Sequence, residues 1–208
     1  HTTPDPQLIP LFIYSALAMG KLVQSEWHSL IGVDQPQGWH NQLGNEPGVL
    51  LAYLQKWRYG PTSGLQAVPH FGITLGNVMT LARVGGIVRL GQNMSGFGPD
   101  TIEPGGAMLQ RTRQSDSQSQ GNAPEWYIFA GFDSRLVGRN IFLDGNTFRD
   151  SPSVNRELFV HDLKAGFSLR VAPFRFSLTH VQRSAEFITP LGFAAIQRFQ
   201  SVNMSWEF

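Results

Sequence analysis

The stretch His161–Thr179, HDLKAGFSLRVAPFRFSLT, decides the fold. His161, Leu163, Ala165, Phe167, Leu169 and Val171 fall on one parity; Asp162, Lys164, Ser168 and Arg170 fall on the other. A period of two belongs to a β-strand, whose successive side chains point to opposite faces. Pro173 marks a reversal, and the alternation resumes with Phe174, Phe176 and Leu178 against Arg175, Ser177 and Thr179. The last residues repeat it, Val202, Met204, Trp206 and Phe208 alternating with Asn203, Ser205 and Glu207.

Working back along the chain, strands are expected over 8–19, 49–59, 68–77, 79–91 and 125–137. GPTSG at 60–64 and Asp144-Gly145-Asn146 are turn signals, and 92–124 is a long polar loop. Such alternation fits a soluble sandwich, or a membrane barrel with apolar residues toward lipid and polar ones toward its lumen. Three features favour the barrel. The strands run to about 10–15 residues, against a usual length of roughly 5–6. Short turns are expected to alternate with long polar loops. Aromatics stand at strand ends (Trp57, Tyr59, Trp126, Tyr127, Trp206, Phe208), as interfacial girdles require. The expected fold is therefore all-β, an antiparallel transmembrane β-barrel of about eight or nine strands over 1–208, with a short helix and long loops at one rim. On this reading Arg89, Lys164, Arg170 and Arg175 face the lumen, either as lining or as attractors of phosphate.

Composition agrees with one folded domain. Hydrophobic residues make up 41% and charged residues 15%, with a net charge of +1. That balance gives no reason to expect nucleic acid. With no cysteine, disulfides, thiolate metal sites and a Cys nucleophile are excluded. No apolar run reaches the ~18 residues of a membrane helix. HTTPDPQLIP lacks the basic start and apolar run of an export leader, so a leader is expected to have been removed, or the chain to start after its true beginning.

One stretch departs from the strand pattern: the helix–loop insertion of 20–48, with QSEWHSLIGVDQPQGWHNQLGNEPG at 24–48. Val23, Trp27 and Leu30 make an apolar helical stripe, ended by Gly32. Gln24 and His28 lie one turn apart on a neighbouring face and can act on the same atom. His28 has the unperturbed pKa, near 6.5, that lets it take a proton from water. Gln24 can orient that water or donate to an oxyanion. Asp34 can return to hold the imidazole. An ordinary interfacial histidine is the alternative. His40 and Glu46 are read as turn caps before metal ligands, and His70, His161 and His180 have no zinc spacing. The Asp144-Gly145-Asn146 oxygens would suit calcium but lack EF-hand spacing.

The 24–48 segment resembles the signature of the outer-membrane lipid A 3′-O-deacylase family, the LpxR-like proteins. LGN at 75–77, RLG at 89–91, RNIFLDGNTF at 139–148 and the Phe-ended last strand are similar to that family in the same order. The resemblance implies a twelve-stranded barrel in the bacterial outer membrane. It implies calcium-dependent hydrolysis of the ester that holds the 3′-linked acyloxyacyl group of lipid A in lipopolysaccharide, among outer-membrane lipids, by a monomer. It places His28 as the base, Gln24 beside it, and Asp34 as a looser match to a supporting acid. The Asn-Asp pair of the family's first strands has no counterpart before His28. The chain is therefore expected to lack those strands, with its cation site incomplete. The competing function is a non-enzymatic outer-membrane channel with 24–48 as plug or constriction.

Overall fold

A computed structural model describes residues 3–15 as backbone, and residues 29–30, 43–44, 46–94, 96–97, 123–189, 192 and 194–206 with their side chains. The strands are β1 (Thr3–Ser15), β2 (Pro47–Arg58), β3 (Gly64–Gly76), β4 (Met79–Gln92), β5 (Glu125–Asn140), β6 (Asn155–Arg156), β7 (Phe159–Val171), β8 (Phe174–Arg183), β9 (Phe187–Ile188) and β10 (Gln197–Trp206). One helical turn, α1 (Ile141–Asp144), follows β5. Among the described residues, eight strands form a single sheet in the order β1-β2-β3-β4-β5-β7-β8-β10, antiparallel throughout, and β6 and β9 form a small ribbon. The sheet curls into a half-barrel with β1 and β10 as its edges.

Where strand limits differ from expectation, a specific residue accounts for it. The first strand starts at Thr3 rather than at 8, despite Pro4 and Pro6, because an edge strand tolerates proline; its register shifts between Ile9 and Phe12, beside Pro10, and 16–19 lie outside the described residues. β3 begins four residues before Val68 because Gln66, a polar residue, belongs inside: its amide receives Arg89 Nε at 2.8 Å and donates to the Pro61 carbonyl. β5 runs past Val137 through a bulge opposite Thr80 and Leu81. That extra residue shifts the alternation by one. Arg139, which an unbroken strand would aim inward, is turned to the outside of the rim. The loops are not sorted by length as expected. The end that carries 16–46 and 145–158 also has the two-residue turn 77–78, and the long 93–124 segment lies at the opposite end with the turn at Pro173.

The outward face is apolar along most of its height, with Leu65, Ile73, Val84, Val88, Ile128, Phe132 and Leu163 all exposed. At the Pro173 end Trp57, Tyr59, Trp126 and Trp206 form the expected girdle, Phe174 meeting Trp206 edge-on at 4.6 Å. Tyr127 is the exception: it points inward and is buried, its ring under the Arg89 guanidinium. Period two puts consecutive residues on opposite faces, so Trp126 and Tyr127 cannot share one.

The inward face has two layers. Near the Pro173 end Val68, Ile87, Tyr127 and Phe129 surround Met94, which is 0% exposed. Met94 N–H donates to Thr62, and the Arg89 guanidinium donates to the Gly96 carbonyl, so the start of the 93–124 segment is folded into the interior. Above this lies one transverse row in register: Lys56, His70, Gly85, Asp133, Asp162, Arg183. The His70 ring crosses Gly85 to meet Asp133 at 2.7 Å; a Cβ at Gly85 would stand 2.8 Å from that ring and 2.4 Å from the Phe132 carbonyl. Arg135 and Arg183 donate to Asp162 at 2.7 and 2.8 Å. Buried charge is tolerated only when paired, and the row is the arrangement that pairs it.

Candidate active-site rim

Three motifs far apart in sequence meet at the rim opposite Pro173. NEPG at 45–48 ends the helix–loop insertion, LGN at 75–77 ends β3, and RNIFLDGNTF at 139–148 joins β5 to the α1 turn. Gly44 N–H donates to Asn146 Oδ1 at 2.8 Å, and Asn146 Nδ2 donates back to the Gly44 carbonyl at 2.8 Å. The Glu46 carboxylate accepts Thr147 N–H at 2.9 and 3.0 Å and Phe148 N–H at 3.2 Å. Desolvation pushes the Glu46 carboxyl up, but the Thr147 N–H, the Asn146 side chain and the Phe148 N–H outweigh it and bring the pKa to about 2. Asn77 makes a second tie, donating to the Pro47 carbonyl at 2.8 Å and accepting Val49 N–H at 2.6 Å.

The 140–148 turn is itself braced. Asn140 caps α1 by accepting Phe142 N–H, and Asp144 accepts Asn140 N–H at 2.7 Å, a reciprocal arrangement of the capping-box kind. Arg139, delivered by the bulge, donates to the carbonyls of Asn77 and Gly145 and to Thr147 Oγ1. Arg156 holds Asp144 and the Val137 and Gly138 carbonyls. The rim is thus a clasp that fixes the C-terminal end of the insertion against β3 and β5. A polar cavity of about 400 Å³, open to solvent, lies beside it, lined by Asp144, Ser153, Asn155 and Arg156.

His28, Gln24 and Asp34 lie outside the described residues, as does His40. Ser29 and Leu30, directly after His28, are helical, as the i, i+4 spacing predicts. Leu30, at the end of the apolar stripe, is 76% exposed, so the stripe is not buried there. Glu46 caps a turn, as expected. The inward aim of Arg89, Lys164, Arg170 and Arg175 also holds, Arg175 pairing with Glu125 at 3.3 Å. The calcium-friendly side-chain oxygens of Asp144 and Asn146 accept from Asn140 N–H, Arg156 and Gly44 N–H, and do not fit a cation site. Among the described residues no three His, Asp or Glu side chains gather to hold one. Sequence reasoning missed the partners Gly44–Asn146 and Glu46–Thr147. The only signal for them was that their motifs match one family in order.

With this geometry in place, comparison with known proteins is direct. The model of the family described as outer membrane protein LpxR matches residues 16–208. Among solved structures, LpxR from Salmonella typhimurium matches with a TM-score of 0.71 and 21% identity, covering 91% of this chain. The chain spans 62% of the length of that protein. At this identity the structural likeness speaks for the fold. No curated protein sequence matches. The family match covers the chain from residue 16 onward, the clasp and every strand after β1 included, and the chain belongs to the LpxR family of outer-membrane proteins.

Proposed function

We propose that this outer-membrane protein serves lipid A deacylation, hydrolysing the ester of the 3′-linked acyloxyacyl group. The observation that carries the reading is the family match over 16–208, which includes the 24–48 segment. His28 takes a proton from water as that water attacks the ester carbonyl. Gln24, one helical turn away, orients the water or donates to the oxyanion, and Asp34 steadies the imidazole. The tetrahedral intermediate collapses, the carbon–oxygen bond to the sugar breaks, and the His28 proton passes to the departing 3′ oxygen. The products are a sugar hydroxyl and a free acyloxyacyl acid. Calcium dependence is part of the proposal, but no described residue provides its site and no step is assigned to it.

The packed interior favours this reading over a channel. Met94 is packed against the inner wall near the Pro173 end, and the ionic row crosses the inward face at mid-strand. The test is mass spectrometry of lipid A from a host with unmodified lipid A that expresses this chain, its His28→Ala variant or a longer version. Loss of the acyloxyacyl mass with the parent and not with His28→Ala is the expected result, and chelation of calcium abolishes it. No loss with either version, alongside conductance that changes with His28→Ala, would return the channel.

A further inference from the structure

The outward face of the sheet carries almost no charge. Apart from Arg139, which is tied into the clasp, the outward strand positions with described side chains hold a single formal charge, Arg198, and two histidines, His161 and His180. Arg198 and His180 lie on neighbouring strands in their clasp-side halves, and His161 stands four residues nearer that rim on β7 than Ala165, the partner of His180. Gln200 stands opposite His180, and Arg198 opposite Gln182. His161 Nδ1 meets Ser134 Oγ at 2.9 Å on the adjoining strand. Arg198, His180 and Gln200 are exposed, and their side chains make no hydrogen bond or ion pair among the described residues.

The apolar wall begins directly below this spot, at Leu178, Phe176 and Phe174 on β8 and at Val202, Met204 and Trp206 on β10. A cation facing hydrocarbon costs about 2–4 kcal/mol at the bilayer midplane and about 0–1 near its surface. An exposed arginine at the second position of β10 is therefore best accommodated at headgroup level. A guanidinium bonds phosphate oxygens in pairs. Flanking imidazole N–H and amide N–H groups add donors on the same wall.

We infer that Arg198, with His180 and Gln200, forms a lateral binding site for the phosphate-bearing headgroup of a membrane lipid in the clasp-side leaflet. The site needs neither His28 nor catalysis, so it stands apart from the deacylase reading.

The experiment reconstitutes the full chain in phosphatidylcholine nanodiscs doped with phosphatidic acid, or with diacylglycerol as the headgroup-free control, and reads retained lipid by native mass spectrometry. Phosphatidic acid is expected to be retained over diacylglycerol. Arg198→Gln should lower that retention about tenfold, the worth of one charge-assisted hydrogen-bonded contact. Arg198→Leu, which matches its apolar neighbours, should fold and give the same loss, and Arg198→Lys should keep part of the retention. Equal retention by parent and both neutral variants would overturn the site. So would a dimer mass that Arg198→Gln removes, because the spot would then face a second copy of the chain.

Discussion

Asn146→Ala tests the clasp most directly. The substitution removes the two reciprocal bonds with Gly44, both 2.8 Å, and one of the groups that lower the Glu46 pKa. Net hydrogen-bond contributions of about 0.5–1.5 kcal/mol each put the loss at roughly 1–3 kcal/mol. The site is only half-buried, so water re-solvates the freed Gly44 groups and the lower part of that range, about 1.4 kcal/mol, is expected. That corresponds to about tenfold more frequent opening. Hydrogen–deuterium exchange of peptides spanning 43–50 should rise by that factor, while peptides from β4 and β5 keep their protection. A rise under about twofold, or one shared equally by β4 and β5, would refute the clasp as a local anchor.

Three further outcomes are expected. Because the Glu46 pKa falls from 4.5 to about 2, its bonds to Thr147 and Phe148 are fully present above pH 4.5 and are lost as pH falls through about 2; exchange at 147–148 should stay slow at pH 3, and Glu46→Gln should remove the transition. Gly85→Ala places a Cβ 2.4 Å from the Phe132 carbonyl and 2.8 Å from His70, and should cost roughly 1–3 kcal/mol in urea unfolding by forcing the His70–Asp133 contact apart; an unchanged midpoint would mean that the ionic row yields freely. Met94→Ala, at a residue 0% exposed within the apolar cluster, should cost about 2–5 kcal/mol and speed proteolysis of the 93–124 segment; equal cleavage would show that the segment is not held by its first residues.

The sheet was legible because two-residue alternation is both the geometry of a strand and the separation of lipid from lumen: Leu163 outside and Lys164 inside are read from parity alone. Reading failed where parity meets another force. The strand expected from residue 8 starts instead at Thr3, because its edge position permits Pro4 and Pro6. Gln66 falls outside the strand expected over 68–77, while its amide belongs to Arg89 and Pro61. Arg139 changes face through a bulge at Gly138, one of several glycines in these strands, so its type alone did not single it out. The clasp was illegible as contact, because Gly44 and Asn146 carry no complementary signal, and two neutral groups find each other only once β3, β4 and β5 have set the distance. Glu46 was read as a cap because an acid beside turn residues commonly accepts backbone N–H groups, and that reading needed no partner. The roles of His28, Gln24 and Asp34 rest on spacing and family resemblance.

The clasp joins residues separated by 102 positions. Closing so long a loop costs more entropy than two hydrogen bonds return, so the join cannot precede the pairing of β2 through β5. Anchoring of the insertion is therefore a late event in assembly. A polypeptide still crossing the periplasm holds all the residues of the 24–48 segment and yet lacks the seat that steadies them. That seat for Gly44 and Glu46 arrives with the finished wall, in the membrane where the protein resides.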